Sequence, residues 1–212
     1  MRFWSQRVKG SADQDRVSVA CRGDRWTVVV ADGAGGIAGG AAAADRVVES
    51  LAAAGAEAEL GPDDWCEKLW DLDRELEARS VGESTAVVVQ ARGGEVWGAA
   101  AGDSGALLIS ASEVVDLTAH RKPRPLMGSG ACRPVSIVRR TMTGRLLVAT
   151  DGLLKYVAPE KLAACARAGD LAAAVGALIE AARLPGGSLP DDIALALGER
   201  TTRAAPASTP GF

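Results

Sequence analysis

Trp26-Thr27-Val28-Val29-Val30-Ala31-Asp32-Gly33-Ala34-Gly35-Gly36-Ile37-Ala38 admits two folds. Its first half is a β-branched run of strand length, and its second half is a glycine-rich turn that opens a helix. Read as GxGxxA over residues 33–38, it is the weak form of a dinucleotide-binding fingerprint and predicts a parallel sheet and an oxidoreductase. Read as a strand that delivers the carboxylate of Asp32 to the rim of a sheet, it requires no parallel neighbour. The following residues decide between the two. A dinucleotide fold needs a second strand ending in an acid about 20 residues on, whereas this chain continues with the alanine-rich stretch 51–60 and then another helix. A nucleotide-binding oxidoreductase therefore stays only as an alternative.

Working outward, short β-branched runs predict strands at 26–31, 86–91, 96–101, 106–110, 134–140, 146–149 and 193–197. Helical spacing predicts helices at 40–54 and 62–80, the second with Trp65, Leu69, Leu72 and Leu76 on one face. A second pair is expected at 159–168 and 170–184, stopped by Pro185-Gly186-Gly187. Strands that are close neighbours in sequence suit hairpins and antiparallel pairing, and the order reads as α+β. Residues 1–200 are expected to form one domain. The segment 201–212, rich in Ala, Pro, Thr and Ser, is expected to be a disordered tail.

Composition removes several function classes. The 48% hydrophobic residues can fill one sizeable core, and the net charge of −3 from nearly balanced signs gives no electrostatic case for nucleic-acid binding. Cys21, Cys66, Cys132 and Cys165 form no CxxC pair, so reduced thiols in a cytoplasmic protein are expected. No apolar signal segment or membrane span is read at the start or elsewhere. The single histidine, His120, excludes multi-histidine zinc sites. It also follows Gly102-Asp103-Ser104-Gly105, which contradicts the chain order of a trypsin-like triad. Carboxylates are left to carry any chemistry.

Asp32, Asp103 and Asp151 each end a predicted strand, Asp191 just precedes one, and Asp15 lies near the start. Each alone is ordinary turn chemistry. Together on one rim they would concentrate negative charge that only cations can neutralise, and all-oxygen ligation selects magnesium or manganese.

These aspartates stand in Asp13-Gln14-Asp15-Arg16, Val30-Ala31-Asp32-Gly33-Ala34-Gly35-Gly36, Glu83-Ser84-Thr85-Ala86, Gly102-Asp103-Ser104-Gly105, Ala149-Thr150-Asp151-Gly152-Leu153 and Asp191-Asp192-Ile193. In this order the segments resemble the motifs of the PP2C family of metal-dependent protein serine/threonine phosphatases. The resemblance implies two packed antiparallel sheets flanked by helices, with a binuclear Mg or Mn centre at one end. It implies Asp32 as the bridging carboxylate, Gly33 as a carbonyl ligand, Asp151 and Asp191 as ligands of the other ion, and Asp15 as a ligand direct or through water. Asp103 matches a third, weaker site, and Asp192 stands where the family often has Asn. The implied reaction is attack of metal-activated water on phosphoserine or phosphothreonine of protein substrates in a kinase pathway, by a monomer.

The pattern departs from the family in places. Ala34 stands where some members carry a histidine acid, and His120 reads as a loop residue. Arg7 and Lys9 are the candidates for the basic residue that holds phosphate. The interval 118–144 is too short for the flap of many bacterial members. There the run His120-Arg121-Lys122-Pro123-Arg124 is a candidate for guiding acidic substrates. A non-catalytic signalling module on the same fold is the other alternative.

Overall fold

The computed structural model describes residues 1–34 and 36–201. In chain order its elements are β1 (Arg2–Val8), β2 (Arg16–Arg22), β3 (Arg25–Ala31), β4 (Gly33–Ala34), α1 (Gly36–Glu57), α2 (Pro62–Ala78), β5 (Glu83–Ser84), β6 (Ala86–Arg92), β7 (Glu95–Ala101), β8 (Gly105–Ile109), β9 (Val114–Asp116), β10 (Val135–Thr141), β11 (Arg145–Ala149), α3 (Asp151–Leu154), α4 (Pro159–Arg167), α5 (Leu171–Ala182) and β12 (Ile193–Glu199). The strands make two five-stranded antiparallel sheets, ordered β1-β12-β11-β8-β9 and β10-β7-β6-β3-β2, and β4 pairs with β5 apart from them.

The run 28–31 is apolar at every position because both faces of its sheet are covered. Val28 and Val30 point toward the other sheet and pack with Leu108, Leu146 and Val148. Val29 and Ala31, on the opposite face, pack with Val47, Leu51, Trp65 and Leu69 of α1 and α2. The second sheet repeats the arrangement, with Leu147, Leu195 and Leu197 against Leu162, Leu171 and Leu178 of α4 and α5. The period of two along each strand thus builds four layers, helices on sheet on sheet on helices. This matches the expected architecture. It overturns the oxidoreductase alternative, because β3 pairs antiparallel on both sides, with β2 and β6.

Each expected helix and strand has an observed counterpart, with ends shifted by a few residues. β1, β2, β4, β5, β9 and α3 were not expected. β1 and β2 are the outer strands of the two sheets, half exposed, and carry arginine and polar residues where an inner strand would be apolar. β1 pairs along its whole length with β12, from Arg2↔Glu199 to Val8↔Ile193. No helix among the described residues is long and apolar enough to cross a membrane. Of the expected tail, residues 202–212 lie outside the described residues.

The connection between β9 and β10 is pinned where a flap would stand. Asp73 lies on the apolar face of α2, one turn after Leu69, and is only 2% exposed. Its carboxylate accepts the backbone N–H groups of Gly128 (2.6 Å), Gly130 (3.1 Å) and Cys132 (3.1 Å). Met127 in turn exchanges two backbone hydrogen bonds of 3.0 Å with Ser84. Replacing Asp73 by Ala leaves these donors without their charged acceptor. It is expected to cost about 3 kcal/mol and to lower Tm by about 6–12 °C. A calorimetric or dichroism melt within about 2 °C of wild type would show that other groups pin the connection.

Candidate metal centre

Asp32 emerges from β3 with its backbone clamped. Its N–H donates to Thr85 Oγ1 (2.9 Å), and its carbonyl accepts from Thr85 N–H (2.8 Å) and Ser84 Oγ (3.0 Å). Thr85 Oγ1 also shares a 2.6 Å hydrogen bond with Ser104 Oγ, which ties this clamp to the turn that carries Asp103. Asp151 opens α3 directly after β11. The result is that Asp32, Asp103 and Asp151 each offer a carboxylate oxygen within 4.8 Å of the others. Two of the sequence motifs, Glu83-Ser84-Thr85-Ala86 and Gly102-Asp103-Ser104-Gly105, thereby acquire a role that the sequence did not reveal: their hydroxyls fix the direction of Asp32.

Asp15 joins this group from the loop before β2. It is 3% exposed, its Oδ2 accepts from Thr150 Oγ1 (2.6 Å), and it shares a hydrogen bond with Asp32. Thr150 is itself fixed by the N–H of Ala194 on β12 (3.0 Å). Asp191 stands beside Asp151, whose pKa its charge helps to raise, and accepts from Ser11 Oγ (3.4 Å) and Asp192 N–H (2.9 Å). Gly33 packs against α1 so closely that a Cβ there would lie 2.1 Å from the Gly40 carbonyl oxygen.

The sequence pointed to Asp192 only as a replacement for Asn, yet it organises the whole N-terminal loop. Its carboxylate accepts backbone N–H groups from Gly10 (2.7 Å), Ser11 (2.9 Å), Ala12 (3.3 Å) and Gln14 (2.7 Å). The loop must approach closely for this. A Cβ on Gly10 would sit 2.1 Å from the Asp191 carbonyl oxygen, so glycine is required there. Thr150 and Asp192 are the positions whose supporting roles sequence reasoning missed. The available signals were a hydroxyl residue immediately before Asp151 and a doubled aspartate before β12.

Electrostatics separates these carboxylates into two kinds. Burial, followed by the charge of Asp15 and the hydrogen bond shared with it, pushes the Asp32 carboxyl well above the usual range, and Asp151 and Asp103 add to the repulsion. Asp15 is also raised, mainly by burial, although its bonds to Thr150 and Asp32 oppose the shift. Burial again leads the rise at Asp151, ahead of repulsion from Asp103 and Asp191. At Asp192 burial acts upward too, but its four backbone donors together outweigh it and the pKa is lowered. Asp192 is satisfied by protein, whereas the others hold charge that the protein does not neutralise. An all-carboxylate donor set of this kind fits a hard divalent cation.

The basic candidates differ in placement. Arg7 Nη1 lies 3.6 Å from Asp13 Oδ1 and 3.5 Å from the Asp15 carbonyl, beside the acidic group. Arg16 bonds the Asp13 and Asp15 carbonyls but is held by an ion pair with Asp45. Lys9 is exposed one residue beyond β1. Within the run 120–124, Arg121 is not available to guide substrate. It donates to Asp116 Oδ2 (2.9 Å), to Thr118 and to the Asp103 carbonyl (3.3 Å). His120 is an exposed residue of the β9–β10 connection, as expected of a loop histidine.

Comparison with known proteins agrees with this architecture. A variant of a bacterial serine phosphatase superposes with TM-score 0.81 at 18% identity, covering 93% of this chain and 97% of that one. The S. agalactiae serine/threonine phosphatase gives TM-score 0.78 at 16% identity, over 92% of this chain and 98% of the other. The catalytic domain of the serine/threonine protein phosphatase PstP, solved with two manganese ions, gives 0.75 at 20% identity, over 92% and 96%. The expected PP2C-type architecture is therefore present. No curated protein matches the chain by sequence. The family model of Stage II sporulation protein E matches residues 22–201, from the last residue of β2 to just past β12, a range that holds Asp32, Asp103, Asp151 and Asp191. The chain belongs to the Stage II sporulation protein E (SpoIIE) family.

Proposed function

We propose that this protein is a metal-dependent phosphatase that hydrolyses phosphoserine and phosphothreonine in proteins. The observation that carries this reading is the convergence of Asp32, Asp103 and Asp151 within 4.8 Å, with Asp15 bonded to Asp32. Asp32 would be shared between two Mn or Mg ions, with Asp15, the Gly33 carbonyl, Asp151 and Asp191 completing their protein ligands and Asp103 serving a weaker third site. When bound, such ions neutralise the phosphoryl oxygens and make water a nucleophile at neutral pH. The two manganese ions of the PstP catalytic domain, which has the same fold, support the assignment.

The chain's own residues supply orientation. Arg7 lies beside the acidic loop and is only loosely paired, whereas Arg16 is held by Asp45, so Arg7 is assigned the substrate phosphate, which a guanidinium can grip with two N–H donors. Thr85, Ser84 and Thr150 keep Asp32 and Asp15 aimed while substrate exchanges. Ala34 offers no proton, so water protonates the leaving alkoxide. The thiols of all four cysteines are unpaired, which suits the cytoplasm. There the protein is proposed to act as a monomer, residues 1–200 forming the catalytic unit, on targets of a serine/threonine kinase pathway.

Asp32→Ala is expected to lower kcat/KM on an aryl phosphate and on phosphoserine and phosphothreonine peptides by at least about a thousandfold, several kcal/mol of lost charge stabilisation. EDTA should have the same effect on the wild type, and manganese or magnesium should reverse it. Near-normal turnover by that variant, or in EDTA, would defeat the reading.

Arg7→Ala is expected to reduce kcat/KM about tenfold or more, and Lys9→Ala by less than about twofold. The opposite pattern in steady-state kinetics would transfer the phosphate-holding role to Lys9.

The metal-free fold should also respond to pH. Asp15, Asp32 and Asp151 have folded pKa values raised above their unfolded ones. Their contribution is most favourable below the unfolded carboxylate pKa of about 4 and is lost as pH rises through the raised values. In EDTA, Tm should therefore be lower at pH 8 than at pH 5.5. Asp32→Asn should reduce that difference, and manganese should raise Tm at pH 8 in the wild type but much less in the variant. A wild-type Tm that does not respond to manganese would count against metal binding.

A further inference from the structure

Helices α4 and α5 do not cover the outer face of their sheet completely. At the β8–β9 edge they leave a cavity of about 350 Å³, lined by Leu107, Val114, Leu154, Leu162 and the ion pair of Arg121 with Asp116. A space of this size, mostly apolar with one polar corner, has the character of a ligand site. Its one cation is already neutralised, because Arg121 Nη1 sits 2.9 Å from Asp116 Oδ2. An uncharged apolar group is therefore what the cavity suits.

The cavity is tied to the carboxylate rim through two of its lining residues. Arg121, which lines it, donates to the backbone carbonyl of Asp103 (3.3 Å). Leu154, which lines it too, lies three residues after Asp151 on the single turn of α3. β9 is the outermost strand of its sheet, and the bonds Leu117 N–H to Ala106 O (2.9 Å) and Ser110 N–H to Glu113 O (3.0 Å) set which of its residues face β8. By the alternation of an antiparallel ladder, the backbone groups of Val114 point away from β8, toward the open edge. Val114 is 41% exposed and its side chain lines the cavity. A chain leaving the rim near Gly105 and running along this edge would reach the level of Val114 after about four residues at about 3.3 Å each.

Building on the phosphatase reading, on which this inference rests, we propose that the cavity is a docking subsite for an apolar side chain of the phosphoprotein substrate. The side chain is carried about three to five residues from the phosphorylated residue, on an extended segment that pairs with the free edge of β9. Main-chain pairing supplies register, and the cavity supplies selection. The site thus discriminates by sequence even though its β9–β10 connection is pinned down and offers no mobile flap.

The test uses the manganese-loaded full chain and three kinds of substrate. These are an aryl phosphate, phosphothreonine peptides with leucine three, four or five residues to either side, and the same peptides with serine in place of leucine. At one or more of these spacings the leucine peptide should be turned over with a kcat/KM about tenfold above its serine counterpart, the value of burying one such side chain. Val114→Glu places a charge at the mouth of the cavity from an exposed strand position. It should remove the leucine preference through a raised KM, while the aryl phosphate, too small to reach the cavity, reads the carboxylate rim alone. An unchanged aryl phosphate rate shows that the variant folds. Equal rates for leucine and serine peptides at every spacing overturn the docking site while leaving the phosphatase reading intact. A preference that survives Val114→Glu overturns it as well. No turnover of any substrate overturns the phosphatase reading and the subsite with it.

Discussion

Like charges at Asp32, Asp103 and Asp151 are held with carboxylate oxygens within 4.8 Å of one another, and the surrounding structure serves to keep them there. In a half-buried rim such charges repel strongly, so each must be fixed by groups other than its neighbours. Two hydroxyls and a backbone N–H clamp the main chain of Asp32, Thr150 holds Asp15, and a bonded pair of hydroxyls links the Asp32 clamp to the Asp103 turn. All of these supports are neutral. They fix position without cancelling charge, and this is what leaves the rim able to attract cations.

Asp192 shows the contrast within a few residues. It is as deeply buried as Asp15, yet four backbone donors lower its pKa while that of Asp15 is raised. The same side chain titrates in opposite directions in the two places, because one charge is satisfied by four backbone donors and the other is not. The role of Asp192 is still tied to the site. By gathering residues 10–14 it sets the loop that presents Asp15 and stands next to Arg7.

The rim also joins the two sheets. Asp15 and Asp32 flank strands β2 and β3 of one sheet, Asp151 and Asp191 flank β11 and β12 of the other, and Asp103 lies on the passage from β7 to β8 between them. Cations bound there would cross-link the layers at one end of the sandwich. On the helix-covered side, Asp73 ties the β9–β10 connection to α2, and Met127 passes that restraint to Ser84 beneath Asp32. The open ground near the site is then at the β8–β9 edge, where Arg121 reaches the Asp103 turn.

The sequence alone determined the α+β class, the inner strands, the four long helices and the identity of the acidic residues. It could do so because these depend on local patterns: apolar runs of strand length, helical stripes and aspartates at strand ends. It could not reveal β1 and β2, since outer strands half open to water need no apolar alternation. Nor could it show that Asp192 gathers the N-terminal loop, or give Thr85, Ser104, Thr150 and Asp73 their tasks. Those tasks are hydrogen bonds across 19 to 135 residues of chain, and local pattern carries no information about partners so distant. Arg121 illustrates the same limit in the other direction. As one member of a basic run it looked free to meet substrate, and only the tertiary structure, by folding Asp116 and the Asp103 carbonyl against it, determined that its charge was already taken.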